Sequence, residues 1–315
     1  MGTITLCTAP KPFTDPLIAR IQVNALRSWR ALEPEVEAVV IGEEAGAEEA
    51  ARQTGCRYVA SVERNAQGTP LIRSIFDQAR AVSASPILAY ANADIILLDD
   101  FVEAVGRVAA QMRLFLLAAR RWDLRIEGEL RPGPGWEAHL REAIRSDGRR
   151  HPPAGSDLFV FPRDCYIDIP ALTVGRAGWD NWMIYEARRR RWPVVDMSEA
   201  ITVVHQDHDY RHLPGGRPHY RLPETDENVR LAGGRRAILS LTDADYVWRR
   251  GKARRKPVTV ASLVRGIELF PLLRLGSAPL ANLAYAVVHP RRAFHEFRGW
   301  LSWKVGQVRR SENHS

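Results

Sequence analysis

Short apolar runs alternate with stretches of helical spacing along the first half of the chain. Thr3–Cys7 reads as a strand, and Leu17–Trp29 carries apolar residues at helical intervals. Val36–Ile41 is a second strand ending at Gly42, followed by a Glu/Ala-rich helix over Glu43–Gln53 and a short strand at Arg57–Val59. Thr69-Pro70 suits a helix start, with Thr as cap and Pro in the first turn, ahead of Leu71, Ile72, Ile75 and Phe76. The run from Pro86 to Ala91 is continuously apolar, breaks at Asn92-Ala93-Asp94 and resumes with Ile95, Ile96 and Leu97. Strands covered on both faces need no alternation, so this run predicts a buried parallel strand ending at Asp94. The strand–helix rhythm predicts an α/β fold, a mostly parallel sheet with helices on both faces.

In the second half the pattern predicts a helix over Phe101–Met112 and a strand over Leu114–Ala118 leading into Arg120-Arg121-Trp122-Asp123. Arg131–Gly135 and His151–Gly155 read as loops, and Asp157–Pro162 as a strand. A helix follows Gly175–Gly178, starting at Trp179 and ending in the arginines 188–191. Short strands at Pro193–Asp196 and Ile201–Val204 precede His205-Gln206-Asp207-His208. The tail differs in kind. Leu269–Val288 is apolar but interrupted by Pro271, Arg274 and Pro279, which makes a poor transmembrane helix. Phe294, Phe297, Trp300 and Trp303 recur at helical spacing among Arg298 and Lys304, a combination suited to a helix lying in an anionic membrane interface.

Composition adds one organising fact. The chain has 315 residues, 45% hydrophobic, enough for one large domain with an appendage. Its formal charge of +8 is local: Arg249–Ser315 holds 14 basic and 3 acidic residues, which leaves the remainder at −3. A division into residues 1–248 and a basic amphipathic extension, 249–315, follows. Basic residues confined to one tail, with no recognition motif, argue against a nucleic-acid partner. Cys7, Cys56 and Cys165 are odd in number and widely spaced, as expected of buried thiols in a reducing compartment. The first residues carry neither a basic nor an apolar leader pattern. A cytoplasmic protein, peripheral at the inner membrane face, is the expectation.

The candidate chemistry begins after the first strand. Thr8-Ala9-Pro10-Lys11-Pro12 holds no Gly-rich loop, which excludes the dinucleotide fingerprint and the P-loop. A diphosphate there needs a metal or basic side chains. Ligands of open α/β sheets bind beyond the carboxyl ends of strands, where Asp94 sits. A carboxylate among Ile and Leu needs a reason to stay charged, and a cation supplies one; the competing reading of Asn92-Ala93-Asp94 is a hydrogen-bonded turn. Asp180 opens a helix between two tryptophans. Such an acid can simply favour the helix dipole; alternatively, Trp179 and Trp182 stack on sugar rings while Asp180 deprotonates an acceptor hydroxyl. His205 and His208 can cap, hydrogen-bond or ligate, and beside an acidic site His205 reads as a ligand. No third His or Cys is near in sequence, against zinc. Ser156 and Asp157 read equally as a turn or as substrate contacts. Arg120 and Arg121, just past a strand's carboxyl end, are placed to meet a phosphate.

Together these residues resemble the GT-A type of nucleotide-diphospho-sugar glycosyltransferase. Trp179-Asp180-Asn181-Trp182 through Arg191-Trp192-Pro193-Val194-Val195 is similar to the acid-led, arginine-ended helix of family 2-like inverting enzymes. The resemblance covers roughly Thr3 to Tyr210. It implies that Asp94 is the metal-binding acid of an Asp-x-Asp motif, Asp180 the general base and His205 a late metal ligand. It further implies a divalent cation, Mn²⁺ or Mg²⁺, and direct displacement with inversion. The nucleoside-diphosphate sugar is then expected against Thr8, Ala9, Arg73, Asn92, Ala93, Asp94 and Arg120. A saccharide or lipid-linked acceptor is expected against Ser156, Asp157, Trp179 and Trp182. Asn92 stands where the motif has its first acid, and Trp179 where a Glu precedes the base. A non-catalytic sugar or nucleotide binder on the same fold is the alternative these departures permit.

Overall fold

The computed structural model describes residues 2–208 and 222–299. The chain divides into two compact units, Met1–Lys256 and Pro257–Ser315.

The first unit is built on a nine-stranded, mostly parallel sheet. From β1 (Ile4–Thr8) the chain adds β2 (Val36–Ile41) and β3 (Arg57–Val59) on one side, then returns to place β4 (Ile87–Ala91) on the other, all parallel. The direction of growth therefore reverses between β1 and β4, the kind of switch point where α/β sheets open a crevice. Beyond β4 lies β9 (Leu158–Pro162), antiparallel to its neighbours β4 and β6 (Leu116–Ala118). The sheet continues through β10 (Val194–Asp196) and β12 (Tyr246–Arg249), and ends at the antiparallel β13 (Lys252–Arg255). β13 carries the sheet past the boundary expected at residue 248.

Alternation along the strands sorts side chains onto two covered faces. Leu6, Val40, Ala89 and Val160 join the core formed with α1 (Pro16–Arg30), α2 (Ala47–Thr54) and α4 (Asp100–Ala109). Their neighbours Tyr90, Phe159 and Phe161 point the other way. There they meet Phe76 of α3 (Ile72–Val82) and Trp179 of α6 (Trp179–Arg189).

A four-stranded second sheet runs in the order β5 (Ile95–Leu97), β11 (Val203–Gln206), β7 (Arg121–Leu124), β8 (Arg149–Arg150). The chain passes from the large sheet to the small one three times: from β4 to β5, from β6 to β7 and from β10 to β11. The apolar side of this sheet, with Ile96, Leu124 and Val204, packs on Leu140 and Ile144 of α5 (Trp136–Asp147). Buried polar groups of α1 hold it from the other direction. Trp29 Nε1 donates to the Ile95 carbonyl at 2.9 Å, Ser28 Oγ accepts from Leu97 N at 3.3 Å, and Asn24 Nδ2 donates to Gln206 Oε1 at 3.0 Å.

Two local expectations need correction, and two helices carry no sequence signal. Thr69-Pro70 does not start α3. Asn65 Oδ1 accepts from Thr69 N, and the helix begins at Ile72 without a side-chain cap. α5 and α7 (Pro223–Leu231) have no counterpart in the periodicity, because each buries only two side chains. Pro271 does not break the tail helix.

The second unit contains α8 (Val260–Leu275), which Thr259 and Ser262 cap reciprocally, and which runs through Pro271 to Gly276 at φ +62. α9 (Ala278–Val288) follows, and the backbone is helical again over 290–299. No helix of the described residues is long and apolar enough to cross a membrane. Trp300, Trp303 and residues 209–221 lie outside the described residues.

Trp29 is fully buried and carries the hydrogen bond that ties β5 to α1. Trp29→Ala is expected to cost about 3–5 kcal/mol, read as a lowered urea midpoint.

Candidate functional site

The seam between the two sheets collects the chemistry-bearing residues. β4 is buried along its whole length and ends in the turn Asn92-Ala93-Asp94, closed by Ile95 N donating to the Asn92 carbonyl at 3.0 Å. Gln206 holds the Asp94 carbonyl through both its backbone N and its side-chain Nε2, each at 3.2 Å. Asp94 is thus fixed where the chain leaves one sheet for the other. Its Oδ2 lies 3.7 Å from His205 Nε2 and 3.6 Å from His208 Nε2, and its buried Oδ1 has no hydrogen-bond partner among the described residues. One ligand atom from each of these three residues falls within 4.8 Å of the others.

Asp123 organises the next layer. The β7–β11 register puts it opposite His205. Its Oδ1 lies 3.1 Å from His205 Nδ1, without the alignment of a hydrogen bond, and 2.8 Å from Arg121 Nε. Its Oδ2 contacts His151 Nδ1 at 2.9 Å. Arg121 Nη1 reaches on to Asp157 Oδ2 at 2.6 Å, and Asn92 Nδ2 donates to Asp157 Oδ1 at 2.6 Å. Asp94, His205, Asp123, Arg121, Asp157 and Asn92 thus form one connected network at the carboxyl edge of β4.

The charges follow from these contacts. Burial would raise the Asp94 carboxyl, but the facing charge of His205, contact with His208 and the Lys11 ammonium hold it well below the usual carboxylate range. Asp123 is likewise depressed, burial being outweighed by His205, His151 and Arg121. For His205 burial works against the charged form, yet Asp94 and Asp123 raise it overall. Burial lowers the Lys11 ammonium, with Asp94 opposing. Lys11 is positioned by Gln22, which accepts from its backbone N at 2.7 Å and donates to its carbonyl at 2.9 Å.

Asp180 obeys a different balance. Burial pushes its carboxyl up to about 6; backbone amides at the α6 N-terminus oppose the rise and the negative charge of Asp157 adds to it. The turn before it depends on Gly178 at φ +107, where a Cβ would meet Asn228 Cβ and Val229 N at 3.3 Å. Asp180 Oδ1 accepts from Gly178 N at 3.2 Å.

The other expected residues divide. Thr8 and Ser156 are buried at the ends of β1 and before β9, with hydroxyls that lack partners among the described residues. Ala93 is buried beside Asp94, and Ala9 is half-buried after β1. Arg120 donates to the His151 carbonyl at 2.8 Å, while Arg73 on α3 pairs with Glu63 at 2.5 Å. Trp179 and Trp182 are each 4% exposed. Trp179 packs edge-on against Tyr90 and Phe159, and Trp182 packs against Tyr166. Their expected stacking on a sugar is corrected: both rings are core, because they lie on the sheet-facing side of α6.

Arg121, expected to meet a phosphate, pairs instead with Asp123 and Asp157, and Lys11, Asp123 and His151 were not expected in the site. Only Lys11 had a sequence signal, as the cation of the turn after β1. The others converge through strand pairing between β7, β8 and β11. A separate surface cavity of about 540 Å³ is lined by Asp100, Glu103, Arg107, Glu199, Trp248 and Arg249. Within it Arg249 pairs with Glu199 at 2.7 Å and Arg107 with Glu103, while Asp100 pairs with Arg141 at 2.8 Å.

Removing Arg121 leaves Asp123 and Asp157 without their shared cation. Arg121→Met is expected to destabilise the fold by about 3–5 kcal/mol, with part recovered in Arg121→Met/Asp157→Asn; chemical denaturation of both variants measures this.

No family model and no curated protein matches the chain. Among solved structures it is similar to glucosyl-3-phosphoglycerate synthase from Mycobacterium tuberculosis in complex with Mg²⁺ and UDP. That match has 15% identity over 82% of this chain and 89% of that one, with a TM-score of 0.45. It is also similar to Staphylococcus aureus TarS 1–349 in complex with UDP-GlcNAc, at 13% identity over 74% of this chain and 66% of that one, with a TM-score of 0.46.

Proposed function

We propose that this protein is a nucleotide-sugar glycosyltransferase whose donor binds at the seam between the two sheets. The observation that carries the reading is a division between two carboxyl groups. Asp94 is held ionised among His205, His208 and Lys11, whereas Asp180 is pushed up to about 6 by burial. Acids driven apart in this way take different roles in one reaction, one as a permanent charge and one as a proton carrier.

The residues around Asp94 fit a divalent cation. One carboxylate and two imidazoles converge, and among the described residues a buried oxygen of that carboxylate lacks a partner. Mixed oxygen and nitrogen donors suit Mn²⁺ better than Mg²⁺. Asp94, His205 and His208 would hold the ion, which when bound offsets charge on a diphosphate leaving group. Asp123 keeps the His205 ring oriented by contact with its far nitrogen, a usual arrangement behind a histidine ligand. Lys11 adds positive charge beside Asp94, taking the part a Gly-rich loop plays elsewhere.

Asp180 acts as the base. It accepts the proton of an acceptor hydroxyl as that oxygen bonds to the anomeric carbon and the bond from that carbon to the diphosphate breaks. The Asp180 carboxyl ionises near neutrality, so it is largely free to accept a proton at pH 7 and basic enough to be effective. Inversion at the anomeric carbon follows from attack opposite the leaving group.

Calorimetry with a panel of nucleoside diphosphates, starting with UDP, is expected to show binding that requires Mn²⁺ and is lost in Asp94→Ala. Asp180→Asn is expected to retain that binding while kcat falls by about 10²–10⁴. Retained binding with no turnover in the unaltered protein would make the chain a binder.

The pH dependence has a defined sign. The base works only when unprotonated, so kcat/KM is expected to fall about tenfold per unit below pH 6. Stability runs the other way. Between the unfolded value and about 6 only the native carboxyl keeps its proton, so its stabilisation is lost as pH rises through 6. Asp180→Asn is therefore expected to raise the melting temperature at pH 8 relative to the parent and to lose that advantage at low pH.

A further inference from the structure

The C-terminal unit wears its apolar side chains outward. Among the described residues, twelve of the sixteen exposed large hydrophobic residues belong to it. They are not scattered. On α8, Val260, Leu263, Val264, Ile267 and Phe270 follow helical spacing along one side, opposite the buried Leu269, Leu272 and Leu273. On α9, Leu280, Leu283 and Val287 repeat the pattern, and Phe294 and Phe297 continue it over 290–299. Ile267 is 66% exposed and Val287 73%. A monomer in water rarely leaves so much contiguous apolar surface open.

The accompanying charge is predominantly positive. Residues 257–299 hold five arginines, at 265, 274, 291, 292 and 298, against Glu268 and Glu296. Glu268 is buried, with Arg265 at 3.0 Å and His289 at 3.5 Å, so it adds no exposed negative charge. Four more cations, Lys252, Arg254, Arg255 and Lys256, immediately precede the unit in sequence. At about 24 Å, α8 is too short to span a bilayer core of about 30 Å, and its apolar side is a stripe rather than a full girdle.

We propose that this unit seats the protein on an anionic lipid bilayer. The stripes of α8, α9 and 290–299 lie in the acyl boundary, and the arginines meet headgroup phosphates. Charge complementarity selects this occupant over a second copy of the chain, whose like-charged arginines would be brought together. The inference does not depend on the transferase reading.

The test is sedimentation of the full-length protein with vesicles of phosphatidylcholine, and with vesicles in which part of it is replaced by phosphatidylglycerol. Binding is expected to need the anionic lipid and to weaken with salt. Ile267→Asp/Leu283→Asp, both at exposed positions, is expected to reduce it by at least about tenfold. Arg291→Glu/Arg292→Glu, which removes no apolar group, is expected to weaken it while leaving circular dichroism unchanged. Equal binding to both vesicle types, no binding, or binding undiminished in either variant overturns the proposal. A concentration-dependent dimer in light scattering that the first variant disperses, without vesicle binding, assigns the stripes to a second copy.

Discussion

A charge held away from water must be met by opposite charge or by hydrogen bonds, and the first unit is arranged around that demand. Three strands leave the large sheet for the small one at the same level, and each departure brings polar side chains into an otherwise apolar layer. Asp94 arrives after β4, Arg121 and Asp123 with β7, and His205 with β11. None is tolerable alone. Together they alternate in sign: Asp94 against His205, His205 against Asp123, Asp123 against Arg121, Arg121 against Asp157. The Asp94 oxygen that lacks a partner among the described residues is where this cancellation stops.

Helix α1 makes the arrangement rigid. An amphipathic helix ordinarily presents only apolar residues to a core, yet α1 also buries Gln22, Asn24 and Ser28. Each has a task. Gln22 pins the turn carrying Lys11, Asn24 engages Gln206, and Ser28 with Trp29 takes up β5. Gln206 in turn grips the Asp94 carbonyl. Lys11, on one loop, and Asp94, on another, are thus referenced to the same helix. Their electrostatic contact follows from that shared support rather than from proximity in sequence.

The legibility of the site tracks the range of the interactions that build it. β1 and β2 are mostly apolar runs and β4 is a continuous one, and Asp94 is visible just past its end. Asp180 is visible because a helix start has local markers. Asp123 carries no such marker; it acquires its role only when β7 pairs with β11 and brings it beside His205. His151 is reached the same way, through the β7–β8 pairing. The tryptophans show the converse failure. Flanking an acid, Trp179 and Trp182 suggest a sugar platform, but three residues apart on a helix they share a face, and that face is the one packed on Tyr90, Phe159 and Tyr166. Aromatic type alone does not distinguish a binding ring from a core ring. The side of the helix does.

The same network explains why an amide stands at position 92. The Asn92 side chain does not reach toward His205. Its oxygen lies 3.2 Å from the Tyr90 hydroxyl, which donates to it, and this orientation aims Nδ2 at Asp157 Oδ1, 2.6 Å away. Asp157 takes its other oxygen's bond from Arg121 and accounts for part of the elevation of Asp180. An acid at 92 would set two carboxylates against each other at hydrogen-bond distance in a layer that already balances Asp94, Asp123 and Asp157 with few cations. One of the pair would have to keep a proton or Arg121 would have to shift, and either change would disturb Asp123 and through it His205. A donor is needed at 92, with the shape of an acid and without its charge. What looks in the sequence like a weakened acidic motif is, in the folded chain, the residue that allows Asp94 to remain, among the described residues, the single carboxylate facing both His205 and His208.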